Sequence, residues 1–361
     1  MIKGNSGDWS EVYALMKILT DRKLFAGNSK LQKIANVVYP VIEIIRNEKS
    51  RNINFTYQNG NVEIITSDGI SNVISVATFA QNALFLLNEI KGQKSQTGTF
   101  AVPTIEAFIN SFGSNSIKAK SSVKSDIVIK IHDPRTNTEP TLGFSIKSEL
   151  GGNSTIMNAS QTTNFRYKIV GKVLTTSEIS NINLIDTKSK IQDRIASIES
   201  LGGSLELDNA VKPVFKNNLT LIDSLLPQIL GHSLYYYYSA QGNMLSDIVK
   251  FLTRDNPCNF DMSLKHNFYE YKLKRLLMEV ALGMLPKTVW TGNYDVTGGY
   301  LVVKESGEIV CYHIYNKNDF ENHLFNNTRF ETGSSTRNKF GKVYIENGQQ
   351  YFNLNAQIRF A

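Results

Sequence analysis

The chain has 361 residues, enough for one large hydrophobic core or two ordinary ones, and 41% hydrophobic with 20% charged residues excludes disordered and fibrous classes. Lys and Arg outnumber Asp and Glu by 39 to 32, a formal +7 that suits a polyanionic partner without requiring one, since no basic run resembles an arm or tail. The two cysteines, Cys258 and Cys311, lack zinc-ligand spacing, the opening residues lack a secretory apolar core, and no stretch reaches the ~18–20 apolar residues of a membrane span, so a reduced, cytoplasmic protein away from membranes is expected.

Taken in chain order, Trp9, Val12, Tyr13, Met16 and Leu19 recur at three- and four-residue spacing and predict an amphipathic helix from Gly7-Asp8, with Asp8 competent to cap it and Glu11 in its first turns. Residues 52–66 predict a hairpin around Asn59-Gly60, because this dipeptide accepts the positive φ of a two-residue turn and is flanked by β-branched and aromatic residues. Helices are expected at 73–91 and 104–112. From Lys124 to Leu150 the chain reads as two strands, SDIVIKIHD and LGFSIKSEL, joined by a turn holding Pro134, Asn137 and Pro140. Helical spacing returns at 186–201 and 216–238, with Gly202-Gly203 between them, and again at 268–283. The segments GGYLVVK, GEIVCYHIY, KVYIENG and QQYFNLNAQIRF then read as strands. No internal repeat or long linker marks a boundary, and the expected division is 1–175, 176–260 as a helical insertion, and 261–361.

Chemistry is concentrated in the paired strands at the centre. Hydrolysis of a phosphodiester needs a cation to neutralise the phosphate, acids to hold it, and an oriented water. Asp126 opens one strand; after an 18-residue gap the next strand carries Ser145 and Lys147. Strand alternation places Ser145, Lys147 and Glu149 on one face and Phe144 and Ile146 on the other. The pattern resembles the PD-(D/E)XK nuclease signature with serine in place of the second acid. A neutral hydroxyl supplies no charge, so the missing anion must come from Glu11 on the first helix or from Glu149, and Glu11 is preferred. On its own, serine and lysine at alternate positions also describe a solvated edge strand.

Larger blocks sharpen the reading. KGNSGDWSEVYALMKIL, KAKSSVKSDIVIKIHDPRT, GFSIKSELGGNSTIMNASQTTNFRYKI, WTGNYDVTGGYLVVKESGEIVCYHIY and LNAQIRF resemble the HpaII family of restriction endonucleases, in the family's order and across nearly the whole chain. Residues 51–112 and 175–260 look divergent, and Asp8 stands where the family's opening motif leads one to expect Glu. The resemblance implies a homodimeric, Mg²⁺-dependent type II enzyme that cuts both strands of double-stranded DNA at a short palindrome, CCGG being the family-type site, leaving 5′-phosphates. It also implies a cognate methyltransferase in the same host, not as a stable subunit. The fold expected is α/β: a mixed central sheet flanked by helices, as in a PD-(D/E)XK core, with a strand-rich C-terminal region for DNA recognition.

In this reading Asp126 and Glu11 hold the metal, Lys147 steadies charge at the phosphate, and Ser145 holds a water or packs. Lys118, Lys120 and Lys124 precede the catalytic strand at even spacing and suit the DNA backbone. Asn158, Gln161, Thr163 and Asn164 suit phosphate or base edges, as do Arg337, Asn338 and Lys339 in GSSTRNKFG. Solvated surface turns explain each of these groups about as well. Tyr235 to Tyr238 point all round a helix and are expected to pack rather than stack on bases. The histidines at 132, 232, 266, 313 and 323 show no HExxH spacing, and GxxxxGK[ST], GxSxG and Rossmann motifs are absent, which removes zinc hydrolase, ATPase, serine hydrolase and dinucleotide chemistry. A nuclease of the same fold with a repair role, or a catalytically silent DNA-binding protein, is the alternative.

Overall fold

A computed structural model describes residues 1–48, 51–93, 98–118 and 125–361. Helix α1 (Ser6–Asp21) is capped by Asn5 rather than by Asp8: the Asn5 side chain accepts from the Asp8 amide at 3.0 Å, and the Asp8 carboxylate accepts from the Asn5 amide at 2.9 Å. This reciprocal capping box satisfies two amides that a helix start otherwise leaves bare. All five residues of the expected apolar stripe are buried, and Ser10, Ala14, Leu15 and Ile18 are buried with them, so Glu11 is one of the few partly exposed side chains along the helix.

The chain continues through β1 (Lys23–Gly27), β2 (Lys33–Asn47), β3 (Asn52–Gln58), β4 (Asn61–Thr66) and β5 (Ser71–Ser75), then α2 (Val76–Gly92) and α3 (Pro103–Ser111). The expected hairpin is present, with Gln58 opposite Asn61 and positive φ at both Asn59 (48°) and Gly60 (79°). Strands β6 (Ile127–Ile131) and β7 (Thr141–Ser148) follow. A second set then runs β8 (Thr155–Met157), β9 (Asn164–Val170), α4 (Thr176–Leu184), α5 (Lys190–Ser200), β10 (Ser204–Ala210), α6 (Pro213–Ile222), α7 (Leu226–Tyr238), α8 (Leu245–Asp255) and α9 (Phe268–Leu282). The last elements are β11 (Gly299–Val303), β12 (Ile309–His313), α10 (Lys317–Asn326), β13 (Thr328–Phe330), α11 (Ser335–Asn338), β14 (Val343–Glu346), β15 (Gln349–Asn355) and β16 (Ile358–Phe360). Among the described residues, no helix is long and apolar enough to cross a membrane.

These elements form two units, Met1–Ser154 with Tyr294–His323, and Thr155–Asn293 with Leu324–Ala361. The structure thus draws the division differently from the expected boundaries after 175 and 260, both of which fall inside the second unit. Strands β11 and β12, read as part of a C-terminal region, instead complete the sheet of the first unit, because Gly299–Val303 pairs in parallel with Phe144–Ser148.

The mixed α/β character holds, but the sheet is not open. Its order is β1-β12-β11-β7-β6-β2-β3-β4-β5, and β1 also pairs with β2, so six strands close into a ring while β3, β4 and β5 extend from it. The 15-residue β2 makes this closure: its stretch up to Pro40 pairs with β1, whereas Val41–Asn47 pairs with β6 on one edge and β3 on the other. At the β11 start, Gly299 (φ 110°) approaches the Tyr312 carbonyl so closely that a Cβ would lie 2.0 Å from the oxygen, which restricts the site to glycine. Phe144, Ile146 and Leu301 join Trp9, Met16, Ile44, Phe55 and Ile129 in the core of this unit.

In the second unit an antiparallel sheet, β10-β9-β15-β14, stands beside a three-stranded sheet, β13-β16-β8. Helix α7 lies close on the first, since a Cβ on Gly231 would meet Leu207 at 2.5 Å and the Tyr167 hydroxyl donates to the Gly231 carbonyl at 2.6 Å. Its four tyrosines pack as expected, donating to or bonding with Glu199, Asp255, Thr332 and the Asn355 carbonyl in turn.

Arg46 and Glu48, at the end of β2, form a buried ion pair at 3.2 Å; Glu48 also accepts from Ser114 and the Asn115 amide, and Arg46 donates to the Ser116 carbonyl. Removing one partner leaves a charge without compensation. Glu48→Ala should therefore cost about 3–5 kcal/mol in chemical denaturation; a loss below about 1 kcal/mol would show that the pair does not hold this corner.

Candidate active site

Asp126 immediately precedes β6, and its amide donates to the Phe144 carbonyl at 2.8 Å, continuing the β6–β7 ladder. Ile127, Ile129 and Ile131 alternate into the core, so Asp126 belongs to the opposite face, where Ser145 and Lys147 of β7 also lie. The two strands therefore bring three polar residues to one face.

The Asp126 carboxylate is fixed by two donors. Its Oδ2 accepts from the Ile146 amide at 2.6 Å and from the Ser145 hydroxyl at 3.0 Å. Ser145 is 2% exposed and thus serves Asp126 rather than solvent. Among the described residues Oδ1 has no hydrogen-bond partner. Lys147 is partly exposed, and its ammonium stands 5.1 Å from the centre of the Tyr300 ring, on the neighbouring strand β11. Burial lowers the Lys147 pKa, while the negative charges of Asp126 and Glu11 oppose that shift. Burial, helped by Asp126, pushes the Tyr300 hydroxyl far up, so it stays protonated.

The acids nearest this face in sequence, Asp8, Glu11 and Glu149, have different surroundings. Asp8 is engaged in the α1 cap and pairs with Lys118 at 3.0 Å. Glu149 is exposed beyond β7, where its carboxylate accepts from the Glu305 amide at 3.1 Å. Glu11 is the one whose charge acts on Lys147. Among the described residues no group of three His, Cys, Asp or Glu side chains gathers as metal ligands. Two hard carboxylates, one with an oxygen left without a protein partner, still fit Mg²⁺, which commonly takes one or two carboxylates, keeps several waters and completes its shell from a phosphate.

The expected DNA-contacting residues divide by burial. Lys118 is exposed; Lys120 and Lys124 lie outside the described residues. In the second unit Asn158, Gln161, Arg337 and Asn338 come together in one cleft of about 680 Å³, although two segments more than 170 residues apart supply them. Lys339 lines a neighbouring hollow with Lys342. Thr163, Asn164 and Asn338 are buried, and the Asn164 amide donates to the Asn338 carbonyl at 2.8 Å, which ties the two segments to each other. Lys287 and Gln357 also line the cleft and were not anticipated, because single residues at turn ends carry no local pattern. Tyr300 was missed for a different reason: GGYLVVK reads as a strand, but its parallel register beside Lys147 is set by a long-range pairing.

The family described as HpaII restriction endonuclease matches residues 5–360. The type II restriction enzyme HpaII of Haemophilus parainfluenzae is 46% identical over 358 residues, covering 99% of this chain and 98% of that protein. No solved structure matches the chain. A family match across almost every residue, together with this identity, shows that the chain belongs to the HpaII restriction endonuclease family.

Proposed function

We propose that the protein is a Mg²⁺-dependent type II restriction endonuclease that hydrolyses both strands of DNA at a short palindrome, with CCGG as the site, and leaves 5′-phosphates. The observation that carries this reading is the Asp126 carboxylate, held by the Ile146 amide and the Ser145 hydroxyl, with the Lys147 ammonium on the same face. It supports a divergent PD-(D/E)XK site in which the serine replaces the second acid and Glu11 restores the lost charge. Asp126 and Glu11 would hold Mg²⁺, which supplies charge neutralisation at the scissile phosphate and a more acidic water.

The chain's own residues then have distinct tasks. Ser145 and the Ile146 amide keep one Asp126 oxygen engaged, which aims the other outward. Lys147 donates to the non-bridging phosphate oxygens and stabilises the charge that grows on them. The aromatic face of Tyr300 supports the ammonium from the side, an attraction that favours its charged form. Lys118, with Lys120 and Lys124, would meet the DNA backbone, and the 158–164 and 337–339 segments its bases and phosphates. Two-fold symmetry of a palindrome calls for a homodimer, and a host must protect its own sites with a methyltransferase.

Asp126→Ala should lower cleavage of plasmid DNA by about 10³-fold while leaving binding of a short duplex in place. Equal cutting by wild type and variant would remove Asp126 from the chemistry. Binding without cutting by wild-type protein in Mg²⁺ would mark a silent DNA-binding protein.

Lys147 gives a second, two-sided expectation. Its folded-state pKa is lowered, so folding disfavours the charged form: the penalty is complete below the lowered value and lifts as pH rises from there toward the ordinary lysine range. Lys147→Met should thus raise Tm by about 2 °C while reducing the cleavage rate about 10²–10³-fold. The wild-type rate should fall with increasing pH at values below the ordinary lysine range, as the ammonium is lost. A destabilised yet active Lys147→Met protein would contradict both halves.

A further inference from the structure

Cations of the second unit are unevenly satisfied. Arg166, Lys168, Lys190, Lys250, Arg254, Lys272, Arg275 and Arg359 all sit in ion pairs. Lys188, Lys287, Arg337, Lys339 and Lys342 have no ion pair among the described residues, yet all five line hollows that border the segment Gly333–Lys342. Folding alone gives no reason to gather unpaired positive charge around one loop.

The cleft holding Arg337 has a more specific chemistry. Its lining includes Asn158, Gln161, Lys287, Ser334, Arg337 and Gln357 and contains no carboxylate. The side chains of Asn158, Lys287, Arg337 and Gln357 make no hydrogen bond to protein among the described residues, so their donors are available. The floor beneath them is rigid. Asn355, fully buried, donates to the Ser160 carbonyl and to the Asn164 side chain, each at 2.7 Å, and Asn164 donates onward to the Asn338 carbonyl. Gly333 is wedged so closely that an added Cβ would lie 2.5 Å from Ala159. The Arg337 guanidinium is therefore carried on a fixed loop, a condition for reading hydrogen-bond geometry rather than attracting charge alone.

Resting on the proposed DNA-cleaving function, we propose that this cleft is the base-reading site, with Arg337 as the specificity-determining residue that reads a guanine edge. Guanine presents two acceptors, O6 and N7, in the major groove, and the planar fork of an arginine meets both; a lysine has the charge but not the fork. A wall carrying cations and no acids suits the acceptor edge of guanine and offers no charged acceptor to the amino group of cytosine. Lys287 at the rim and Lys188, Lys339 and Lys342 in the flanking hollows meet phosphates, which position the duplex without reading it.

The test selects bound duplexes from a randomised 20-base-pair pool, using the full-length Asp126→Ala chain and the same chain with Arg337→Lys or Lys342→Ala added, after confirming equal thermal melts. The parent should recover a motif. Arg337→Lys should lose the guanine preference at one position of each half-site, with about 10- to 100-fold weaker binding to the motif and unchanged binding to random duplex. Lys342→Ala should keep the motif and lower the salt-dependence slope of binding by about 1. A motif retained in full by Arg337→Lys would overturn the inference while leaving the cleavage reading intact. Failure of the parent to select any motif would overturn both.

Discussion

The structure depends on how one carboxylate is held. Asp126 Oδ2 receives the Ile146 amide and the Ser145 hydroxyl, two donors from the adjacent strand, and hydrogen bonds of this charge-assisted kind are about twice as strong as neutral ones. Because one donor is a main-chain amide, the position of Asp126 is tied to the β6–β7 register, which places Ile127 opposite Phe144. A slip of one residue would turn Ser145 and Lys147 into the core. The burial of Phe144 at 0% exposure and Ile146 at 8% opposes such a slip, so the apolar face of β7 fixes the chemistry of its polar face. Ser145 is thus part of the arrangement, because its hydroxyl anchors Asp126.

The two units differ in how their polar groups are arranged. In the first, a sheet closed through β2 and the buried apolar face of α1 form the support for Asp126, Lys147 and Glu11. The second has its polar groups arranged in two depths. The buried Asn355 amide donates to Asn164 and to the Ser160 carbonyl, and Asn164 donates onward to the Asn338 carbonyl, while Arg337, Lys339 and Lys342 remain at the surface without ion pairs among the described residues. Buried networks of this kind specify a geometry that surface residues then use.

Much of the candidate site was legible because its signals are local. The capping region and apolar stripe of α1, the Asn59-Gly60 turn and the alternation in β7 each lie within a few residues of sequence. Long-range organisation was not legible. Nothing near Val38 or Pro40 announces that β2 pairs with three partners, so the closure of the expected mixed sheet into a ring was not legible. Helical spacing across 216–238 concealed a break at Asp223–Leu225 between α6 and α7. Residues 73–75, read as the start of a helix, complete β5, and Ser75 then caps α2. In the cleft, residue types pointed to polar contacts, but only burial separates Asn164 and Asn338, which support the loop, from Arg337, which projects from it. Family resemblance supplied the identity of the chemistry, and strand parity made it physically reasonable.

The central claim, that Asp126 offers a fixed oxygen to a divalent cation beside Lys147, is tested most directly by locating the cation. Crystals of the protein grown with Mn²⁺ and a CCGG-containing duplex, measured for manganese anomalous scattering, should show a peak in contact with Asp126 and with Glu11 as its second carboxylate. A peak bound by other residues, with Asp126 hydrogen-bonded only to protein, would contradict the account.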